Sequence, residues 1–190
     1  MLVALGLGTW LSREIDEPLL WMFLSVAAVV GIVALVWWVR GRLIRLRDRV
    51  LVKITDMSGV DRMRGREFEE HVALLMRTCD YRRVEVVGGA SDGGVDIRAL
   101  APDGRAVVVQ CKRWRRPVPP NEVRAFLGVL AGSHRGYMGL FVASNGFTDA
   151  AVQEAGKTMT LVGRDELALW MRGRWAPSLP AGLPGPAGAV

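Results

Sequence analysis

The chain has 190 residues, enough for one ordinary domain and an appendage. Apolar residues make up 51% of it and the mean hydropathy is +0.22, too apolar for a chain lying wholly in water. An excess of 25 Lys and Arg over 19 Asp and Glu gives a net charge of +6, which favours polyanionic partners, nucleic acid or anionic lipid headgroups, without choosing between them. Cys79 and Cys111 are too few for a disulfide framework or a four-cysteine zinc site, and His71 and His134 are too few for a His-rich metal cluster.

Residues 1–18 form a short apolar N-terminal segment whose run LVALGLGTWLS would reach only about 17 Å as a helix, too short to cross a bilayer alone. Residues 19–39, LLWMFLSVAAVVGIVALVWWV, carry no charge and as a helix would be about 31 Å long, the thickness of a hydrocarbon core. A single transmembrane helix is expected here. A cleavable signal peptide would have a shorter apolar region, a more basic start and a small-residue cleavage site after it. The span is instead succeeded by Arg40, Arg42, Arg45, Arg47, Arg49 and Lys53, while Glu14, Asp16 and Glu17 precede it. The positive-inside rule therefore places everything after residue 40 in the cytoplasm.

Residues 40–60 form a basic juxtamembrane segment in which Leu43, Leu46, Val50, Ile54 and Met57 recur at helical spacing. That stripe either pairs two copies or lies on the lipid surface, and the surface reading is the simpler. Ser58, Gly59 and Asp61 are expected to break the helix ahead of a soluble domain at residues 61–173.

Within that domain GREFEEHVALLMRT, residues 65–78, puts Phe68, Val72, Leu75 and Met76 on one helical face. A short strand at 83–87 leads to the turn-rich Gly88, Gly89, Ser91, Asp92, Gly93 and Gly94. The strands VDIRAL and AVVVQCK come next, separated by Pro102, Asp103 and Gly104. Then come a helix at 121–133, the strand GYMGLFVAS, a helix at 148–157, the strand TLV and a helix RDELALWMR. Such mixing indicates one α/β or α+β sheet domain. The tail, residues 174–190, is Pro, Gly and Ala rich, and disorder is expected.

Asp96, Gln110 and Lys112 sit in apolar strands, and charged groups are rarely buried without a partner. A three-residue loop 102–104 with Gly104 left-handed pairs Ala101 with Arg105 and sets Asp96 opposite Gln110. Lys112 then projects from the same face, within diagonal reach of Asp96. The opposite face would carry Val95, Ile97, Ala99, Val107, Val109 and Cys111. A two-residue loop would turn Asp96 onto that apolar face and is rejected.

An acid on one strand, a short hairpin and a Q-x-K triplet on the next resemble the PD-(D/E)xK nuclease superfamily in its Gln variant. The runs GREFEE, Tyr81, SDGGVDI, QCKRW, Val123 with Arg124, and SNGFT with Ala150 and Ala151 resemble the catalytic domain of the Mrr restriction endonucleases over residues 63–171. The resemblance implies a restriction-endonuclease-like mixed sheet flanked by helices. It also implies Asp96 as principal metal ligand, Gln110 beside it, Lys112 acting on the attacking water and Glu69 lending a second carboxylate, although by position alone Glu67 or Glu70 could equally be the inward acid of that helix. The main-chain carbonyl of Cys111 completes the implied metal ligands, its thiol facing the core.

Phosphodiester hydrolysis needs charge stabilisation on phosphate and a hydroxide-like nucleophile, which Mg²⁺, or Mn²⁺ in its place, provides with few carboxylate ligands. Lys112 would serve as base or hold the phosphate. Arg113, Trp114, Arg115 and Arg116 suit phosphate contacts and stacking, though a solvated strand end accounts for them almost as well. Ser144, Asn145 and Thr148 lie where a strand meets a helix N-terminus, fit either to contact DNA or merely to cap. His71, His134 and Cys79 read as structural or surface residues. The expectation is a Mg²⁺-dependent endodeoxyribonuclease, single-pass at the bacterial plasma membrane with a cytoplasmic catalytic domain. Its partners would be DNA, the lipid bilayer and a second copy to cut both strands, in type IV-like restriction of foreign or modified DNA. The alternative is a catalytically idle nuclease fold that tethers DNA to the membrane.

Overall fold

A computed structural model describes residues 17–54, 56–88 and 93–180. The apolar segment at 1–12, Gly89, Ser91 and Asp92 of the turn, and residues 181–190 of the tail lie outside the described residues. Contacts divide the chain into two units, Met1–Ile44 and Arg45–Val190.

The first unit contains most of a long helix, α1, Glu17–Ile54. Its stretch Pro18–Leu43 is long and apolar enough to cross a membrane, and none of it is buried by protein. Leu24, Val30 and Leu35 are all more than half exposed. In water that would forfeit the transfer free energy of a whole apolar helix. Arg42 stacks its guanidinium over Trp38 at 5.2 Å, near the end of the apolar run. Leu43 and Leu46 of the juxtamembrane stripe are exposed, while the side chains of Val50 and Ile54 lie outside the described residues.

Ser58, Gly59 and Asp61 do not break the chain as expected. They belong to a short helix, α2, Met57–Arg62, because Asp56 caps it by accepting from Gly59 N at 2.8 Å and Val60 anchors it in the core.

Helix α3, Gly65–Thr78, has the expected bounds and buries Phe68, Val72, Leu75 and Met76. Glu67 accepts from Arg64 N at 2.7 Å and so satisfies a donor at the helix start. Five strands come after it in the spatial order of their sequence: β1 Arg82–Val86, β2 Ile97–Leu100, β3 Ala106–Lys112, β4 Met138–Ala143 and β5 Met159–Val162. The first three are antiparallel, and β3, β4 and β5 are parallel. The parallel joins need crossovers, supplied by α4, Pro120–Ala131, and α5, Asp149–Ala155; α6, Arg164–Met171, ends the domain.

Both faces of the sheet are covered. Residues of α3 and α6 pack with Ile97, Val107, Val109, Leu140 and Val142 on one side. On the other, Val123, Phe126 and Leu130 of α4 and Ala151 and Ala155 of α5 pack with Val108 and Phe141. The strand β4 is buried along its whole length, as a central parallel strand should be. Val95 corrects an expectation: it precedes β2, escapes that strand's alternation, and packs in the second cluster with Val108 rather than beside Ile97.

The first seven tail residues also differ from expectation, because the sheet end offers them partners. Trp175 meets Trp170 edge-on, Thr160 Oγ1 donates to the Ser178 carbonyl at 2.7 Å and Arg105 Nη1 to that of Pro180 at 2.6 Å.

Candidate active site

Residues 102–104 form the expected hairpin loop. Gly104 has φ +89°, and Ala101 N donates to Arg105 O at 2.8 Å. The ladder runs from Ile97–Val109 to Leu100–Ala106; Asp96 lies just before it and donates its main-chain N to the Val109 carbonyl at 2.9 Å, so it reaches Gln110 through its side chain rather than as the expected paired residue. Asp96 Oδ2 accepts two charge-assisted hydrogen bonds, from Gln110 Nε2 and from the main-chain N of Cys111, both at 2.6 Å. Gly93 and Gly94, with φ +66° and +83°, turn the chain into Asp96. A Cβ at Gly94 would sit 3.9 Å from Gln110 Oε1, so this turn lies against the Gln110 amide.

Glu69 turns inward from α3. Its side chain is 17% exposed, whereas Glu70 is 62% exposed on Arg66, and Glu67 is spent on the helix start. Gly88 lets Glu69 in, since a Cβ there would stand 2.7 Å from Glu69 Oε2. Arg66 Nη1 lies 3.7 Å from the same oxygen. Burial pushes the Cys111 thiol well above its ordinary pKa, and the negative charges of Asp96 and Glu69 push it further.

Lys112, at the end of β3, pairs with Glu122 in the first turn of α4: Nζ lies 3.1 Å from Oε2, and both side chains are about a quarter exposed. Nζ also sits 5.4 Å from the centroid of the Trp114 ring, and the Arg116 guanidinium lies over that ring at 5.6 Å. Glu122 is a residue that sequence reasoning misses. The signal available is an acid in the first turn of the helix after the Q-x-K strand, a place where helix-dipole stabilisation alone explains it.

Residues 113–116 line an open groove of about 460 Å³ at the strand end. Arg115 and Arg116 are exposed; Arg113 is partly buried, its Nη1 3.5 Å from the Asp61 carbonyl. Trp114 is flanked by cations and packs on the second core cluster, an arrangement that makes it a support for them.

Ser144 and Asn145 hold this segment from behind. Ser144 Oγ donates to the Trp114 carbonyl at 3.1 Å and Asn145 Nδ2 to that of Arg115 at 2.6 Å. Thr148 caps α5 by accepting from Ala151 N, and its own N donates to Val118 O. Arg164 ties the same loop to α2, donating to the Ser144 carbonyl and, through both terminal nitrogens, to Asp61. The Asp61 carboxyl is held below its ordinary pKa chiefly by that hydrogen bond.

His71 is buried, its Nε2 has no partner among the described residues, and burial lowers its pKa to about 4. Tyr81, also buried, is pushed up to about 12 by its loss of solvent. Tyr81 belongs to the first core cluster, and His71 is buried on α3, which suits the structural reading of His71.

Among the described residues no three His, Cys, Asp or Glu side chains gather as a closed metal cage. Two carboxylates on hard oxygen donors fit an ion that keeps its waters and borrows the substrate phosphate, and they do not fit a structural zinc site.

A mixed sheet with helices on both faces, and an Asp, Gln and Lys gathered at one end of its central hairpin, is the domain of a restriction-endonuclease-like nuclease. Residues 60–171, more than half of the chain, match the restriction endonuclease family Mrr_cat, and the chain belongs to that family. A stretch of 67 residues is 43% identical to the type IV methyl-directed restriction enzyme EcoKMrr of Escherichia coli K12, covering 34% of this chain and 22% of that enzyme. The chain thus spans about a fifth of its relative's length. No solved structure matches it.

Proposed function

We propose that this chain is a Mg²⁺-dependent endodeoxyribonuclease held at the inner face of a bacterial plasma membrane by α1. The observation that carries the reading is the 2.6 Å hydrogen bond from Gln110 to Asp96 on the strand whose last residue is Lys112, with Glu69 turned inward from α3.

Asp96 and Glu69, with the main-chain carbonyl of Cys111, would hold the divalent ion; when bound it supplies Lewis-acid stabilisation of the phosphate and activation of water. Gln110 fixes the Asp96 carboxylate through its 2.6 Å hydrogen bond, so that this ligand needs no reorganisation when the substrate arrives. Lys112 reaches the reacting phosphate or the attacking water from the adjoining edge. Arg115 and Arg116 neutralise neighbouring phosphates, and Ser144, Asn145 and Thr148 serve the DNA by holding the 113–118 loop in place. Two copies acting together would cut both strands.

The relative's methyl-directed activity motivates restriction of foreign or modified DNA as the biological role. The apolar Pro18–Leu43 stretch and the arginines after it support the tether and its orientation. The test is nicking of methylated and unmethylated plasmid by the full chain in detergent, with Mg²⁺ or with EDTA, together with protease digestion of spheroplasts. Mg²⁺-dependent nicking and protection of the catalytic domain are expected. Equal nicking in EDTA removes the metal, and digestion of the domain from outside reverses the orientation.

A further inference from the structure

We infer that Glu122 is a positioning residue for Lys112, fixing where the lysine ammonium stands at the mouth of the site. The inference rests on the nuclease reading for its catalytic consequence, and on geometry alone for the placement.

A lysine ammonium rides on a flexible four-carbon stem and presents a point charge without a preferred plane, so its position is set by what surrounds it. Here Nζ is 3.1 Å from Glu122 Oε2 and 5.4 Å from the Trp114 centroid. At about a quarter exposure the pair is shielded from much of the solvent that weakens surface ion pairs.

The carboxylate that does this stands on a stiff support. Pro117, Pro119 and Pro120 fix the backbone φ over the approach to α4, with Pro119 at its cap. Val118 is bound on both sides, its N to Gly146 O at 2.9 Å and its O to Thr148 N at 3.1 Å. The next residue after Glu122, Val123, is fully buried, as is Phe126 to within 2%. Helix α4 therefore cannot roll without opening the core, and Glu122 is held as a fixed acceptor facing the end of β3. The SNGFT loop and the proline-rich segment then have a shared purpose, which is to aim one carboxylate at one lysine.

The experiment uses the full chain in detergent with Glu122→Gln, Glu122→Asp and Lys112→Ala, read two ways. In the first, supercoiled plasmid is nicked under single-turnover conditions with Mg²⁺ and binding to the same plasmid is measured. Glu122→Gln is expected to lower the nicking rate about tenfold, within the range that misplacement of a reacting group costs, with plasmid affinity little changed; Glu122→Asp restores most of the rate. In the second, the lysines are acylated without DNA and read by mass spectrometry, with exposed Lys157 as internal reference. Lys112 is expected to label several-fold faster in Glu122→Gln than in the parent. Unchanged labelling of Lys112 overturns the inference, as does a nicking loss that tracks weakened plasmid binding alone. If the parent does not nick at all while Lys112 labelling still rises in Glu122→Gln, the nuclease reading fails and the placement stands.

Discussion

The side-chain amide of Gln110 on β3 donates to Oδ2 of Asp96, the residue just before β2, at 2.6 Å. A neutral donor thus occupies the position where a second carboxylate would add charge to the site. Gln110→Glu would set two anions against each other, which disfavours ionisation of both unless a cation lies between them. The variant is expected to melt lower than the parent in EDTA, by about 2–4 °C for each kcal/mol of repulsion, and to gain more from Mg²⁺. Thermal melting in the two buffers checks this, and equal melting of parent and variant in both counts against it.

Gly88 and Glu69 are in close approach, with 2.7 Å left between a Cβ at Gly88 and Glu69 Oε2. Gly88→Ala must displace that carboxylate, and since Oε2 is the far end of a flexible side chain the fold absorbs the change cheaply. We expect Mg²⁺-dependent nicking to fall by about tenfold, as for a misplaced reacting group, with a melting temperature close to the parent's. Loss of stability with unimpaired nicking per folded molecule would place Glu69 outside the site.

The outlines of the domain are legible in the sequence because they arise from periodicity. Helix α3 and strand β3 have the bounds their apolar patterns set, and Gly104 fixes the register that brings Asp96 to Gln110. Glu122 is not legible: a contact across the 113–119 connection leaves no periodic trace, and an acid at a helix start has a sufficient local explanation. Ser144 and Asn145 have the character of DNA contacts, yet the loop carbonyls of Trp114 and Arg115 need donors, and these side chains supply them. Ser58 to Asp61 have the composition of a break, and it is the Asp56 cap that makes them helical.

His71 makes the fold sensitive to acid. Its pKa of about 4 lies below the ordinary 6.5, so on acidification the unfolded chain takes up the proton first. Stability present above pH 6.5 is therefore lost as pH falls toward about 4, by an amount on the order of 3 kcal/mol. His71→Leu should flatten denaturation midpoints across that window, and an unchanged slope would show that the imidazole is not buried neutral.

Asn145→Ala removes the 2.6 Å donor to the Arg115 carbonyl. If the loop serves DNA through its arginines, plasmid binding weakens and its salt dependence becomes shallower, by up to about one ion per lost phosphate contact. A salt titration of binding reads this, and a parallel shift without change of slope would assign Asn145 to stability alone.

If the proposed function holds, cleavage turns on Asp96 and Lys112 acting on a phosphodiester. The most direct measurement is nicking of supercoiled plasmid by the full chain with Mg²⁺, comparing the parent with Asp96→Ala and Lys112→Ala at concentrations where all three bind the DNA. Nicking by the parent that both substitutions abolish is the predicted result. Bound plasmid that the parent leaves intact, methylated or not, would contradict it and make the chain a DNA tether built on a nuclease fold.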